Sequence, residues 1–108
     1  MVQPYFTRLP PARNEQVNVG VAASTIAETR SEDQPRQSIT IQNTSPTAGT
    51  DLITIRLGSD GIATANNGLV LDVGDTWTDA SDTGYKCHQD TITAICATAN
   101  GKLSILER

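Results

Sequence analysis

His88 is the only histidine in the chain, and Cys87 stands directly before it. With Ser81 and Asp90 close by, the group holds the residue types of a hydrolase: a nucleophile, a base and an orienting acid. The spacing works against that chemistry. Neighbouring residues on a strand face opposite ways, so Cys87 and His88 are not expected to meet. Neither a Gly-x-Ser-x-Gly elbow, a glycine-rich phosphate loop nor a paired-glutamate pattern accompanies them. His88 reads as a solvated loop histidine, and no catalytic residue is assigned. The same adjacency is wrong for two ligands gripping one zinc ion.

Asp72, Asp75, Asp79 and Asp82 are the second candidate, offset locally only by Lys86. Carboxylates gathered on one loop are what a calcium ion needs. Their spacing departs from the Asp-x-Asp-x-Asp-Gly pattern, however, and strand geometry would scatter them. Each Asp is expected instead to punctuate a turn by accepting from nearby backbone, with no metal and no cofactor. On a helix the four would align, but Gly74 and Thr76-Trp77-Thr78 argue against one. Trp77 and Tyr85 offer a third chemistry, stacking on a sugar ring beside the loop 79–90. A lone Trp in an alternating strand more often belongs to the core. Asn43-Thr44-Ser45 matches a glycosylation acceptor, which is idle without export.

The elements that must position these groups come from a chain of 108 residues, enough for one domain. Its net charge of −4 and pI near 4.7 argue against a nucleic-acid groove, which wants a basic face. No apolar run approaches the ~18 residues of a membrane span. The start lacks a charged-then-apolar pattern with a small-residue cleavage site, so no secretory signal is expected. A domain of this size buries only roughly 60–70% of its unfolded surface, so its core is modest. Two cysteines do not make a disulfide framework. Both are expected reduced, with Cys96 a small buried hydrophobe inside Ile92-Thr93-Ala94-Ile95-Cys96-Ala97.

Residues 1–14 read as an extended arm. Pro4, Pro10 and Pro11 fix φ and bias their predecessors toward extended geometry. The arm carries Tyr5, Phe6, Arg8 and Arg13, an aromatic pair with basic residues, and this set is assigned to partner binding. From Gln37 onward four basic residues face eight acidic ones, so arm and body differ in charge.

Residues 15–108 read as a β-domain. Val17, Val19 and Val21 alternate along residues 15–23, and residues 29–36 form a polar loop. Further strands are predicted at 38–42, 52–57, 62–65, 69–73, 76–78, 91–98 and 102–106. Asn66-Asn67-Gly68 and Asn100-Gly101 mark tight turns. Short strands between turn residues predict an all-β fold: a small antiparallel β-sandwich or jelly-roll-like barrel with an extended N-terminal arm. The predicted core is Val17, Val19, Val21, Ile39, Ile41, Ile53, Ile55, Leu69, Leu71, Trp77, Ile95, Leu103 and Ile105, one phase of each strand.

Arg36-Gln37-Ser38-Ile39-Thr40-Ile41-Gln42-Asn43-Thr44 resembles the opening strand of small virion proteins of tailed bacteriophages. Gly68-Leu69-Val70-Leu71-Asp72-Val73-Gly74-Asp75, Ile92-Thr93-Ala94-Ile95-Cys96-Ala97 and the ending Ala99-Asn100-Gly101-Lys102-Leu103-Ser104-Ile105-Leu106-Glu107 continue the likeness. The likeness covers residues 36–107 and consists of strand-and-turn patterns. It implies a structural protein that cements or decorates the head shell, docked on the major capsid protein. It also implies sister subunits in a homo-oligomer, with a trimer favoured over a dimer, on the capsid surface of a virion assembled in the host bacterial cytoplasm. Neither nucleic acid nor membrane is an expected partner. The alternative is a carbohydrate-binding, adhesin-like head or tail module using Trp77 and Tyr85.

Overall fold

A computed structural model of the chain describes residues 12–108. Two four-stranded antiparallel sheets pack against each other, and no helix occurs among the described residues. The strands are β1 (Arg13–Val19), β2 (Ser24–Ala27), β3 (Ser38–Asn43), β4 (Ile53–Leu57), β5 (Leu69–Leu71), β6 (Thr76–Ala80), β7 (Ile92–Cys96) and β8 (Gly101–Glu107). The first sheet has the order β1-β8-β3-β6, the second β2-β7-β4-β5.

This order follows from nested pairing. β4 pairs with β5, β3 with β6, β2 with β7 and β1 with β8, all antiparallel. The chain is in effect a two-stranded ribbon with the β4–β5 link at its tip. Successive lengths of the ribbon alternate between the sheets, and the pairs β3–β8 and β4–β7 join them laterally.

Period-two spacing fills the space between the sheets, because alternate side chains of a strand share a face. Val19, Ile39, Ile41, Leu103 and Ile105 enter from the first sheet. Ile26, Ile53, Ile55, Leu71, Ile92, Ala94 and Cys96 enter from the second. Gly101 opens β8 where a Cβ would collide with the Val19 carbonyl and the Cys96 side chain, so only glycine fits.

The departures from the predicted core have specific causes. Val21 is 66% exposed because β1 ends at Val19 and the chain then crosses to the other sheet. That crossing leads into β2, which the sequence pattern did not reveal: it is short, and its register shifts between Thr25 and Ala27. Val17, Leu69 and Trp77 are not fully buried because β1, β5 and β6 are edge strands, covered laterally on one side only. In β7 the predicted phase is reversed. Ile92, Ala94 and Cys96 face the core, and Ile95 lies on the other side.

Residues 62–65 form no strand beyond a bridge between Thr64 and Asn67. They belong instead to a cover. The β4–β5 link folds over the outer face of the second sheet, with the Ala63 amide donating to Thr93 Oγ1 at 2.9 Å and the Asn66 amide to Thr54 Oγ1 at 3.0 Å. Thr54 and Thr93 are buried for that reason. Asn66, at φ 61°, turns the link back toward β5. The outer face of the first sheet carries polar side chains such as Gln16, Gln42, Thr78 and Ser104, which are exposed.

Ile55→Ala should therefore destabilise by about 2–5 kcal/mol in urea denaturation. Val21→Ala should change stability by no more than ~0.5 kcal/mol.

Candidate functional site

The densest polar arrangement lies at one end of the sandwich, around a single carboxylate. Glu107, the last residue of β8, faces inward because the strand alternates and its inner phase runs Leu103, Ile105, Glu107. Three guanidinium groups converge on it. Arg36 Nε donates to Glu107 Oε2 at 2.6 Å, Arg13 Nη1 donates to Oε1 at 3.1 Å, and Arg30 Nη1 stands 3.4 Å from Oε2.

Arg36 is fully buried, and its remaining donors are spent on backbone carbonyls. Nη2 donates to Glu28 O at 2.9 Å, and Nη1 reaches His88 O and Asp90 O. Its own backbone is clamped as well. The Arg36 amide donates to Gln89 Oε1, while Gln89 Nε2 and Cys87 Sγ donate to the Arg36 carbonyl. One side chain thereby ties the β2–β3 link, the β6–β7 link and the end of β8 together. A buried charge is tolerated only when paired and hydrogen-bonded, and this one is.

Beside this hub a cleft of about 290 Å³ opens between the edges β1 and β2. Arg13, Arg30, Glu28 and Glu107 supply its charges, and Thr25, Ile26 and Ala27 its less polar wall. Arg13, expected in the free arm, is instead a residue of β1. It pairs with Glu15 and Glu107 and donates to Ile26 O at 2.8 Å. The strand therefore starts inside residues 1–14, because Arg13 finds its counter-charge there. Tyr5, Phe6 and Arg8 lie outside the described residues.

The other candidates are held in local bonds. Cys87 and His88 do not meet as a dyad: Cys87 Sγ binds the Arg36 carbonyl and His88 Nε2 lies 3.2 Å from Thr91 O. Both cysteines are buried and free. Asp72 accepts from the Gly49 and Val73 amides, which hold its carboxyl below the usual aspartate range. Asp75 accepts from the Asp72 amide, and Asp82 from the Thr83 amide. Asp79 accepts from the Tyr85 hydroxyl at 2.7 Å and the His88 amide at 2.8 Å. That hydrogen bond raises the Tyr85 phenol. These are turn-forming bonds that leave the four carboxylates dispersed. No group of three His, Cys, Asp or Glu among the described residues has metal-holding geometry. Trp77 is half-buried and packs against the core, while Tyr85 is exposed with its hydroxyl donating to Asp79.

The sequence pattern missed Arg36, Arg30 and Glu107, and it offered Asp90 only as an orienting acid rather than as a loop anchor. Asp90 gathers Thr29, Thr91 and Ser59, and the bond from Thr29 leads those that hold its carboxyl far below the usual range. One signal was available for Glu107, since it continues the inward phase of an otherwise apolar strand and so requires a buried partner.

Burial alone would raise the Glu107 carboxyl. The hydrogen bonds from Arg36 and Arg13 and the charges of Arg36 and Arg30 outweigh it and hold the group below the usual glutamate value. A carboxyl with a depressed folded-state pKa contributes stability that is complete above its unfolded value, about 4.3. That contribution is lost as pH falls through the lower folded value. The melting temperature should therefore drop on acidification below about pH 4.3, and Glu107→Gln should make this drop shallower while lowering stability at neutral pH. Arg36→Ala should cost about 3–5 kcal/mol in denaturant titration, because it leaves Glu107 and several carbonyls without their donor. Comparison with family models, curated proteins and solved structures finds no match for this chain.

Proposed function

We propose that the chain is a structural virion protein of a tailed bacteriophage, a capsid cement or decoration subunit that docks on the head shell. The observation that carries this reading is the strand order. Nested pairing of eight strands into β1-β8-β3-β6 and β2-β7-β4-β5 fits a jelly roll, an architecture of viral capsid and lectin domains. The likeness of residues 36–107 to small phage virion proteins supplies the viral context, since fold alone does not carry function. The engagement of His88, Cys87 and the aspartates in structural hydrogen bonds agrees with a role in assembly.

On this reading the major capsid protein is the partner, sister subunits form a homo-oligomer with a trimer favoured, and the site of action is the capsid surface. Attachment is assigned to residues 1–11, through Tyr5, Phe6 and Arg8. Many copies on one shell supply avidity, so each contact can be weak. The half-buried Trp77 and the engaged Tyr85 hydroxyl speak against the sugar-binding alternative.

Co-sedimentation of the purified protein with expanded capsids tests the proposal, and saturable binding is expected. Deleting residues 1–11, which leaves the Arg13–Glu107 pair intact, should preserve the melting temperature and abolish or sharply weaken that binding. Full occupancy by the truncated protein would end the arm assignment. Glycan-array binding without capsid binding would replace the capsid reading with an adhesin.

A further inference from the structure

We propose that the cleft between β1 and β2 is a binding site for a carboxylate, the side chain of an acidic residue on a partner peptide. The inference concerns the chain by itself and does not depend on capsid attachment.

Three guanidinium groups surround one interior carboxylate. The side chains of Arg36, Arg30 and Arg13 are 0%, 15% and 29% exposed, and that of Glu107 is 5% exposed. The least solvated part of this end is thus positive. The balancing acids, Glu15 and Glu28, are exposed at the rim, where water and salt screen them. Glu107 binds Arg36 and Arg13 more closely than it binds Arg30, which stands 3.4 Å away. Its Oε2 already takes the 2.6 Å bond from Arg36 and its Oε1 the bond from Arg13.

Arg30 is held by its Nε, which donates to Gln34 O, and by its loose 3.4 Å approach to Glu107. Its Nη2 makes no hydrogen bond among the described residues. Nη2 is thus the Arg30 nitrogen whose hydrogens are open to a carboxylate oxygen, a charge-assisted acceptor for a guanidinium. Ile26 and Ala27 floor the cleft but are buried in the core, so the groups a ligand meets are Thr25 and the charged side chains. Residues 1–11 contain no acid, and their only charged side chain is Arg8, so this chain's own N-terminus is a poor electrostatic match. The rim acids select as well. Glu15 and Glu28 tolerate a single negative charge better than the denser charge of phosphate.

NMR titration of the full chain with N-acetyl-glutamate α-amide tests the proposal, with N-acetyl-glutamine amide and inorganic phosphate run at matched ionic strength. Saturable shifts of the Thr25–Glu28 amides are expected with the glutamate probe and not with glutamine. Phosphate should bind more weakly, and added salt should weaken both anions. Arg30→Ala should lower the affinity roughly tenfold. Because that variant also loosens the Glu107 cluster, Glu28→Gln provides a separate reading. Its side chain makes no hydrogen bond among the described residues, so the fold is undisturbed, and affinity should rise about threefold as the rim repulsion is removed. No saturable shift, equal shifts with the glutamine probe, tighter binding of phosphate, or unchanged affinity in Glu28→Gln would each overturn the assignment.

Discussion

The contact between Arg36 and Glu107 is the constraint that one end of this molecule is built around. Two opposite charges are withdrawn from water, and the desolvation of each is offset only by geometry: a short N–H···O bond and carbonyl acceptors for the other guanidinium donors. Those carbonyls belong to links with no strand pairing to define their path. Glu28 O, His88 O and Asp90 O all accept from Arg36, which adds to the bonds that Asp79 and Asp90 make in the same links. A buried polar network of this kind fixes conformation strongly, since any rearrangement leaves a charge without its partner.

The rest of the sandwich rests on hydrophobic burial between two sheets of unlike exterior. The second sheet is covered by its own β4–β5 link, which uses the hydroxyls of Thr54 and Thr93 as acceptors for loop amides. The first sheet presents a polar face instead. Nested pairing gives the fold a particular dependence: β1 reaches its partner β8 across nearly the whole chain. Most stabilising contacts are thus non-local, and ordering them carries the entropic cost of closing long loops. Cross-links between the chain's ends, such as Arg13 to Glu107, stabilise the closure that completes the first sheet.

Side chains of the kinds used in catalysis and metal binding are spent here on holding loops. Asp79 fixes the β6–β7 link by taking the Tyr85 hydroxyl and the His88 amide, and Asp90 joins that link to residues on either side of it. Cys87 acts as a small buried donor to a carbonyl. The chemical interest moves to arginine, where one group, Arg30, is only partly used.

Period-two alternation in the amino-acid order determined the strands with one wet face and one dry one. Ile39/Ile41, Ile53/Ile55 and Leu103/Ile105 were legible because the residues between them are polar, and this held even for β4, whose Thr54 is covered. Asn100-Gly101 marked its turn, while packing against Val19 and Cys96 is what requires the glycine. Where apolar residues stand on the outer face as well, the signal vanishes. β7 lies between β2 and β4 beneath a loop, so its apolar run carries no phase, and only packing selected Ile92, Ala94 and Cys96 for the core. β2 was illegible because its shifted register breaks the alternation. The Arg36–Glu107 pair was out of reach for a different reason. Its members are 71 positions apart, and no local pattern records that one charge will be buried against another so distant in the chain. Tertiary structure alone decided that Arg13 belongs to β1, since the carboxylate that holds it arrives from the other end of the sequence.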